Sequence, residues 1–159
     1  MSSFAFVNYV RFTQRDGSAT SPVYAYQNFS VNQTRTYSGV TYQFVPFAIS
    51  TGAGSRGGDR SEATLGAGTN AITVNVFAEA VNSGWLLELK TVSLNPETFA
   101  DSVLIRTEIW RVSRYEMDNE KILLKLTSPL DAVREQAPNR FLSTRLVGAL
   151  PTSATLVVS

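Results

Sequence analysis

The chain has 159 residues, of which 14 are basic and 13 acidic, for a formal charge of +1, with 43% hydrophobic and 17% charged side chains. That is enough chain for one domain with its own core, and it lacks the charge excess that marks binding to nucleic acid or an anionic membrane. There is no cysteine and no histidine, which removes disulfides, thiol catalysis, thiolate or imidazole metal ligands and the usual general base. No catalytic, cofactor-binding or metal-binding residue is therefore expected, nor any cofactor.

Taken in order, Phe4, Phe6, Val10 and Phe12 alternate with Ala5, Val7, Tyr9 and Arg11, predicting a first strand. The same stretch has no basic region and no long apolar core, so neither a signal peptide nor a membrane anchor is expected there. Asp16-Gly17 marks a turn into a second strand over Val23 to Val31, the two reading as a hairpin. A second hairpin runs from Arg35, turns at Ser38-Gly39 and continues as Val40 to Phe47, with Pro46 forcing an end, an edge or a bulge.

Gly52 to Glu62 carries Gly52, Gly54, Gly57 and Gly58 among Arg56, Asp59 and Arg60, without periodicity, and predicts an exposed loop. Ala71 to Ala78 reads as a strand with Ile72, Val74 and Val76 inward, and Asn82-Ser83-Gly84 turns the chain into another strand, Trp85 to Leu94. Asn95-Pro96 breaks that strand, and Phe99 is expected to plug the core from a short connection. A long strand, Val103 to Tyr115, then turns through Met117 to Glu120 into Lys121 to Thr127.

The strongest helix punctuation is at Ser128, a hydroxyl cap, followed by Pro129 in the first helical position. Leu130, Val133 and Ala137 share a face and Pro138 ends the run, predicting one short helix over Pro129 to Ala137 laid against the sheet. Phe141 to Val147 is weakly strand-like. The domain is expected to span residues 1–147, with 148–159 a short C-terminal tail able to pair with a neighbouring subunit.

Several motifs invite a chemical reading. Gly52-Ala53-Gly54-Ser55-Arg56-Gly57 spells a dinucleotide fingerprint, but that motif requires a helix next and a strand follows. Asp59 with Glu62, and Asp118 with Glu120, lack the spacing of a calcium loop and read as turn solvation. Trp85, Trp110 and the tyrosines could form a sugar platform, although half-buried strand positions are the commoner fate of such residues. Along the long strand, Ile105, Thr107, Ile109 and Arg111 face one way and Arg106, Glu108, Trp110 and Val112 the other, so neither face is cleanly apolar. Mixed faces suit a curved sheet or barrel that meets a core on one side and a partner on the other. Arg106, Arg111 and Arg114 with Glu108 and Glu116 are expected to form a ladder of cross-strand ion pairs there.

Three features in this order carry a family resemblance: Ser38-Gly39-Val40-Thr41-Tyr42-Gln43-Phe44-Val45-Pro46-Phe47 before a glycine-rich loop, the Ile105 to Tyr115 strand paired with Lys121 to Thr127, and Ser128-Pro129-Leu130-Asp131 running to Pro138-Asn139-Arg140. Over roughly Tyr26 to Arg140 the chain resembles the N-terminal hub domain of the lambda-type minor tail protein L of tailed phages and related short tail proteins. The resemblance implies a mainly β, barrel or curved-sheet tail-hub domain, a virion structural subunit at the tail tip or baseplate, made in the host cytoplasm. It also implies a trimer or hexamer closing a ring at the tail tube, with other tail proteins as partners. The cysteine cluster that holds an iron–sulfur centre in longer relatives has no counterpart here, so no metal is carried over.

The interface residues expected on this reading are Arg56, Asp59, Arg60, Arg106, Glu108, Arg111 and Arg114. The alternative from the residues alone is a β-sandwich module that binds a receptor or carbohydrate.

Overall fold

The structure is a computed structural model that describes residues 4–51 and 62–129. The helix expected over Pro129 to Ala137 lies, past its first residue, outside the described residues, as do the loop of residues 52–61 and the C-terminal tail. Within them the chain runs β1 (Ala5–Thr13), β2 (Ala25–Gln27), β3 (Thr34–Tyr37), β4 (Val40–Phe44), β5 (Phe47–Thr51), β6 (Glu62–Gly68), α1 (Ala71–Ser83), β7 (Leu86–Leu94), β8 (Asp101–Met117) and β9 (Lys121–Thr127). The protein is thus mainly β, as the alternating segments predict.

The strands form one nine-stranded sheet in the order β3-β4-β2-β1-β7-β8-β9-β6-β5. Every neighbouring pair is antiparallel except β2 with β4. Among the described residues the ladder does not close, but the sheet curls. Val10 and Phe12 of β1 share one apolar cluster with Ala63, Leu65 and Ala67 of β6, which stands four places away in the sheet order. Only a strongly curved sheet brings those strands together. The two arms are also joined through the chain itself, because Phe44 ends β4 and Phe47 begins β5. Between them, the Val45 amide donates to the Gln27 carbonyl at 3.0 Å and Pro46 ends the strand, which is why Val40 to Phe47 is two strands and not one.

The helix is where the sequence reading fails. Ala71 to Ala78 was expected as a strand because Ile72, Val74 and Val76 alternate and are β-branched, yet residues 71–83 are helical. The residues that α1 buries are Thr73, Val76, Phe77 and Ala80, a spacing of three, one and three that belongs to one helical face. Its ends are also specified. The Asn70 side chain accepts from the Ile72 and Thr73 amides, and the Thr73 hydroxyl accepts from the Asn70 amide, a reciprocal cap. At the other end Gly84 takes the left-handed conformation at φ 62°, with Trp85 N–H donating to Ala80 O and Gly84 N–H to Val81 O, a Schellman closure. Capping and tertiary burial override the weak strand preference of the β-branched residues.

The helix packs on β8 and β9 within the curl, against Trp110, Val112, Ile122, Leu124 and Leu126. Trp85 and Trp110 belong to this core and form no exposed platform. A second, smaller cluster occupies the far face of the sheet: Val7, Tyr9, Ala25, Tyr42, Val92 and Leu94.

Other expectations need adjustment. The second strand is only Ala25–Gln27, and Val23 and Val31 lie exposed on either side of it. Phe99 does not plug the core. It is 38% exposed, has φ 57°, and its ring lies 5.4 Å from that of Phe29 at a tilt of 52°.

Candidate functional site

Two places gather polar chemistry. The first was not legible in the sequence. Arg35, from β3, is held by four groups: its Nε donates to Tyr9 Oη at 2.9 Å, Nη1 to Asn32 Oδ1 at 2.7 Å, and Nη2 to the Phe99 carbonyl at 2.8 Å and Asp101 Oδ1 at 3.0 Å. Tyr9 in turn donates to the same Asp101 oxygen at 2.7 Å, and the Phe29 ring lies 5.5 Å from the guanidinium carbon. Burial, with Asp101 adding to it against the opposing hydrogen bond from Arg35, pushes the Tyr9 hydroxyl up to about 12. The guanidinium side chain is only 9% exposed. Four of its five N–H donors are spent within the protein, so the cluster is a clasp that pins β3 onto β1 and the start of β8.

The second place is β8. Its 17 residues make it far longer than either neighbour. On one side β7 pairs with it from Asp101 to Arg111, and on the other β9 pairs only from Arg111 to Met117. Among the described residues nothing occupies the second side of Asp101 to Trp110. Four of the side chains there are apolar and exposed, Val103 at 60%, Leu104 at 46%, Ile105 at 52% and Ile109 at 51%. Bare backbone donors and acceptors flanked by such residues make a template for another strand. The two terminal edges of the sheet differ: β3 has four residues, and β5 has five with Pro46 just before it.

Of the charged residues expected to form an interface, Arg106, Glu108, Arg111 and Arg114 lie among the described residues, all on β8. Arg106 pairs with Glu108 at 3.4 Å on the sheet face that carries α1, beyond the helix, and Trp110 Nε1 donates to the same carboxylate at 3.1 Å. Arg111 stands opposite Leu86 and Thr127, on the far face. Arg114 stands opposite Lys125 and pairs with Glu116 at 3.5 Å. Among the described residues the pairs Arg106–Glu108 and Arg114–Glu116 run along β8, between residues two apart on one face, where cross-strand pairs were expected. The alternation of β8 is also broken by bulges, which no sequence pattern announced. Arg56, Asp59 and Arg60 lie outside the described residues.

The remaining candidates resolve as structure. Asp118 caps the β8–β9 turn, its Oδ1 accepting from the Glu120 and Lys121 amides at 2.8 Å each, and these bonds hold its carboxyl below its ordinary value. Among the described residues no group of acidic side chains is placed to hold a metal ion. The void beneath α1, between Phe12, Phe47, Leu65 and Phe77, is apolar and only about 10 Å³, too small for a ligand. No described helix is long and apolar enough to cross a membrane. Set beside known proteins, the chain matches no protein-family model, and no curated protein matches it significantly.

Proposed function

We propose that this protein is a structural subunit that assembles with copies of itself, of the kind that builds the tail tip or baseplate of a tailed phage. The single observation that carries the assembly reading is the open backbone edge of β8, Asp101 to Trp110, with its uncovered Val103, Leu104, Ile105 and Ile109. A chain that works alone normally blunts such an edge with a lysine, a proline or a covering loop. The assignment to a phage tail rests on the sequence resemblance and on the match between the mainly β, curved-sheet domain that it implies and the fold. On this reading copies close a trimeric or hexameric ring with other tail proteins as neighbours. The test is the mass of the purified chain by light scattering over a wide concentration range, followed by electron microscopy of any assembly. Concentration-dependent growth to a closed ring of three or six copies is the expected result. A chain that stays monomeric throughout would overturn it.

A further inference from the structure

We infer that the open edge of β8 pairs antiparallel with the β8 edge of a second copy, about a two-fold axis at Thr107. The inference rests on the reading that the chain assembles with itself, and it specifies the contact. The register follows from the bulges. Ile105 has no opposite number on β7, where the ladder jumps from Thr91–Arg106 to Val92–Leu104, and Ser102 is skipped in the same way between Ser93–Val103 and Leu94–Asp101. With these two extra residues set aside, the strand alternates cleanly. Leu104, Thr107 and Ile109 lie on the far face, and Val103, Arg106, Glu108 and Trp110 on the face that carries α1.

A two-fold axis normal to the sheet keeps each face on its own side, so one residue must stand opposite its own copy. Placing Arg106 or Glu108 there sets like charges face to face, which destabilises a strand pair. Placing Thr107 there makes every rung complementary. Arg106 meets Glu108 of the second copy on both sides of the axis, Leu104 meets Ile109, and Val103 meets Trp110. The next position, beside Arg111, is already taken by Thr127 of β9, which ends the ladder. The pairing covers the apolar side chains that are now exposed and supplies partners for the backbone groups of the edge. Being isologous, it joins copies in pairs, so a closed ring that contains it needs a second contact between pairs and an even number of copies, which selects six over three.

Because the chain contains no cysteine, the axis can be located directly. In the full chain, Thr107→Cys should form a covalent dimer on mild oxidation, because opposite residues of an antiparallel pair stand about 4.5–5.5 Å apart, within disulfide reach. Ile105→Cys, with no rung of its own, should form far less. Arg106→Glu and Glu108→Arg should each weaken dimerisation by roughly tenfold, and mixing the two variants should restore it as a heterodimer. Equal cross-linking at Thr107 and Ile105, or a mixture no tighter than its components, would overturn the register. Cross-linking that appears only after residues 130–159 are removed would show that the chain's own C-terminal segment fills the lane, and would overturn the dimer. Assembly by light scattering without any Thr107 cross-link would sink this contact but leave the assembly reading standing, whereas a monomer at every concentration would sink both.

Discussion

The two faces of the sheet solve the burial problem by different chemistry. Under α1 the core is almost entirely aliphatic and aromatic, with Phe12, Leu87, Leu89, Ile122 and Leu124 completely enclosed. On the far face the cluster around Tyr9 and Tyr42 is small, and its rim is ionic, since Arg35, Asp101 and the Tyr9 hydroxyl complete it. The first kind of core is held mainly by buried area, and its few polar groups are satisfied close by, as where the Thr73 hydroxyl donates to the Gly68 carbonyl at 2.8 Å. The second depends on a few directed bonds between parts of the chain far apart in sequence, so it is easier to release without unfolding the rest.

That contrast can be broken most forcefully at Phe77, the helix residue that packs against Phe12 at 6.2 Å between ring centroids. Phe77→Ala removes a buried ring under the only described helix and should cost about 3–5 kcal/mol in urea unfolding. A loss under 1 kcal/mol would mean that α1 is not the lid of this core.

Arg35→Met should cost less, about 1–3 kcal/mol, because it leaves the Phe99 carbonyl without its side-chain donor and Asp101 with the Tyr9 hydroxyl but no cation, at a site only partly screened from water. The loss should be local. Amide exchange should quicken in β3 and β4 while β6, β8 and β9 stay protected. Uniform loss of protection would show that the far-face cluster is not a separable unit.

The same cluster predicts a pH signature. The Tyr9 hydroxyl titrates near 12 in the folded protein and close to its ordinary value near 10 when unfolded. Below about pH 10 the stabilisation is fully present, and it is lost as pH rises toward 12, because the unfolded chain gives up its proton first. Tyr26 is pushed up to about 12 by burial as well, so the wild type should lose stability across this window from both groups. Tyr9→Phe should flatten the decline without abolishing it. An unchanged slope would place the Tyr9 hydroxyl in water.

Much of the sheet was legible in the residues, and the reasons differ from element to element. The Ser38-Gly39 turn, the pairing of β8 with β9 and the role of Pro46 follow from local chemistry that needs only a few neighbours. The helix was hidden by its own composition, although Asn70 and Gly84 stand at its ends as a cap and a left-handed stop. Giving those signals more weight than the alternation of Ile72, Val74 and Val76 would have found it. Arg35 was not recoverable, because its partners Tyr9 and Asp101 lie 26 and 66 residues away. The open edge of β8 was invisible for a related reason: it depends on where β9 stops.

Gly84 sharpens the helix side of the comparison at a smaller scale. Its φ of 62° is strained for any residue with a Cβ, while the space beside it is ordinary, with the nearest atom, Arg15 Cδ, at 3.7 Å. Gly84→Ala should therefore cost about 1 kcal/mol through the backbone alone. Gly84→Asn should recover part of it, since asparagine adopts this conformation more readily than alanine.

The smallest effect should come from Arg114, and its sign is informative. The side chain is 71% exposed and pairs with Glu116 at 3.5 Å, a contact worth little in water. Directly across the strand stands Lys125, a like charge. Arg114→Glu turns the attraction to Glu116 into a repulsion and the repulsion from Lys125 into an attraction, so the two reversals should nearly cancel and the melting midpoint should move by no more than a degree or two. Adding Glu116→Lys should then raise it slightly, because both neighbours of residue 114 become attractive. If Arg114→Glu alone melts far below the wild type, the guanidinium makes a structural contact beyond its exposed pair. If it folds normally but no longer assembles, the ring contact includes this end of β8.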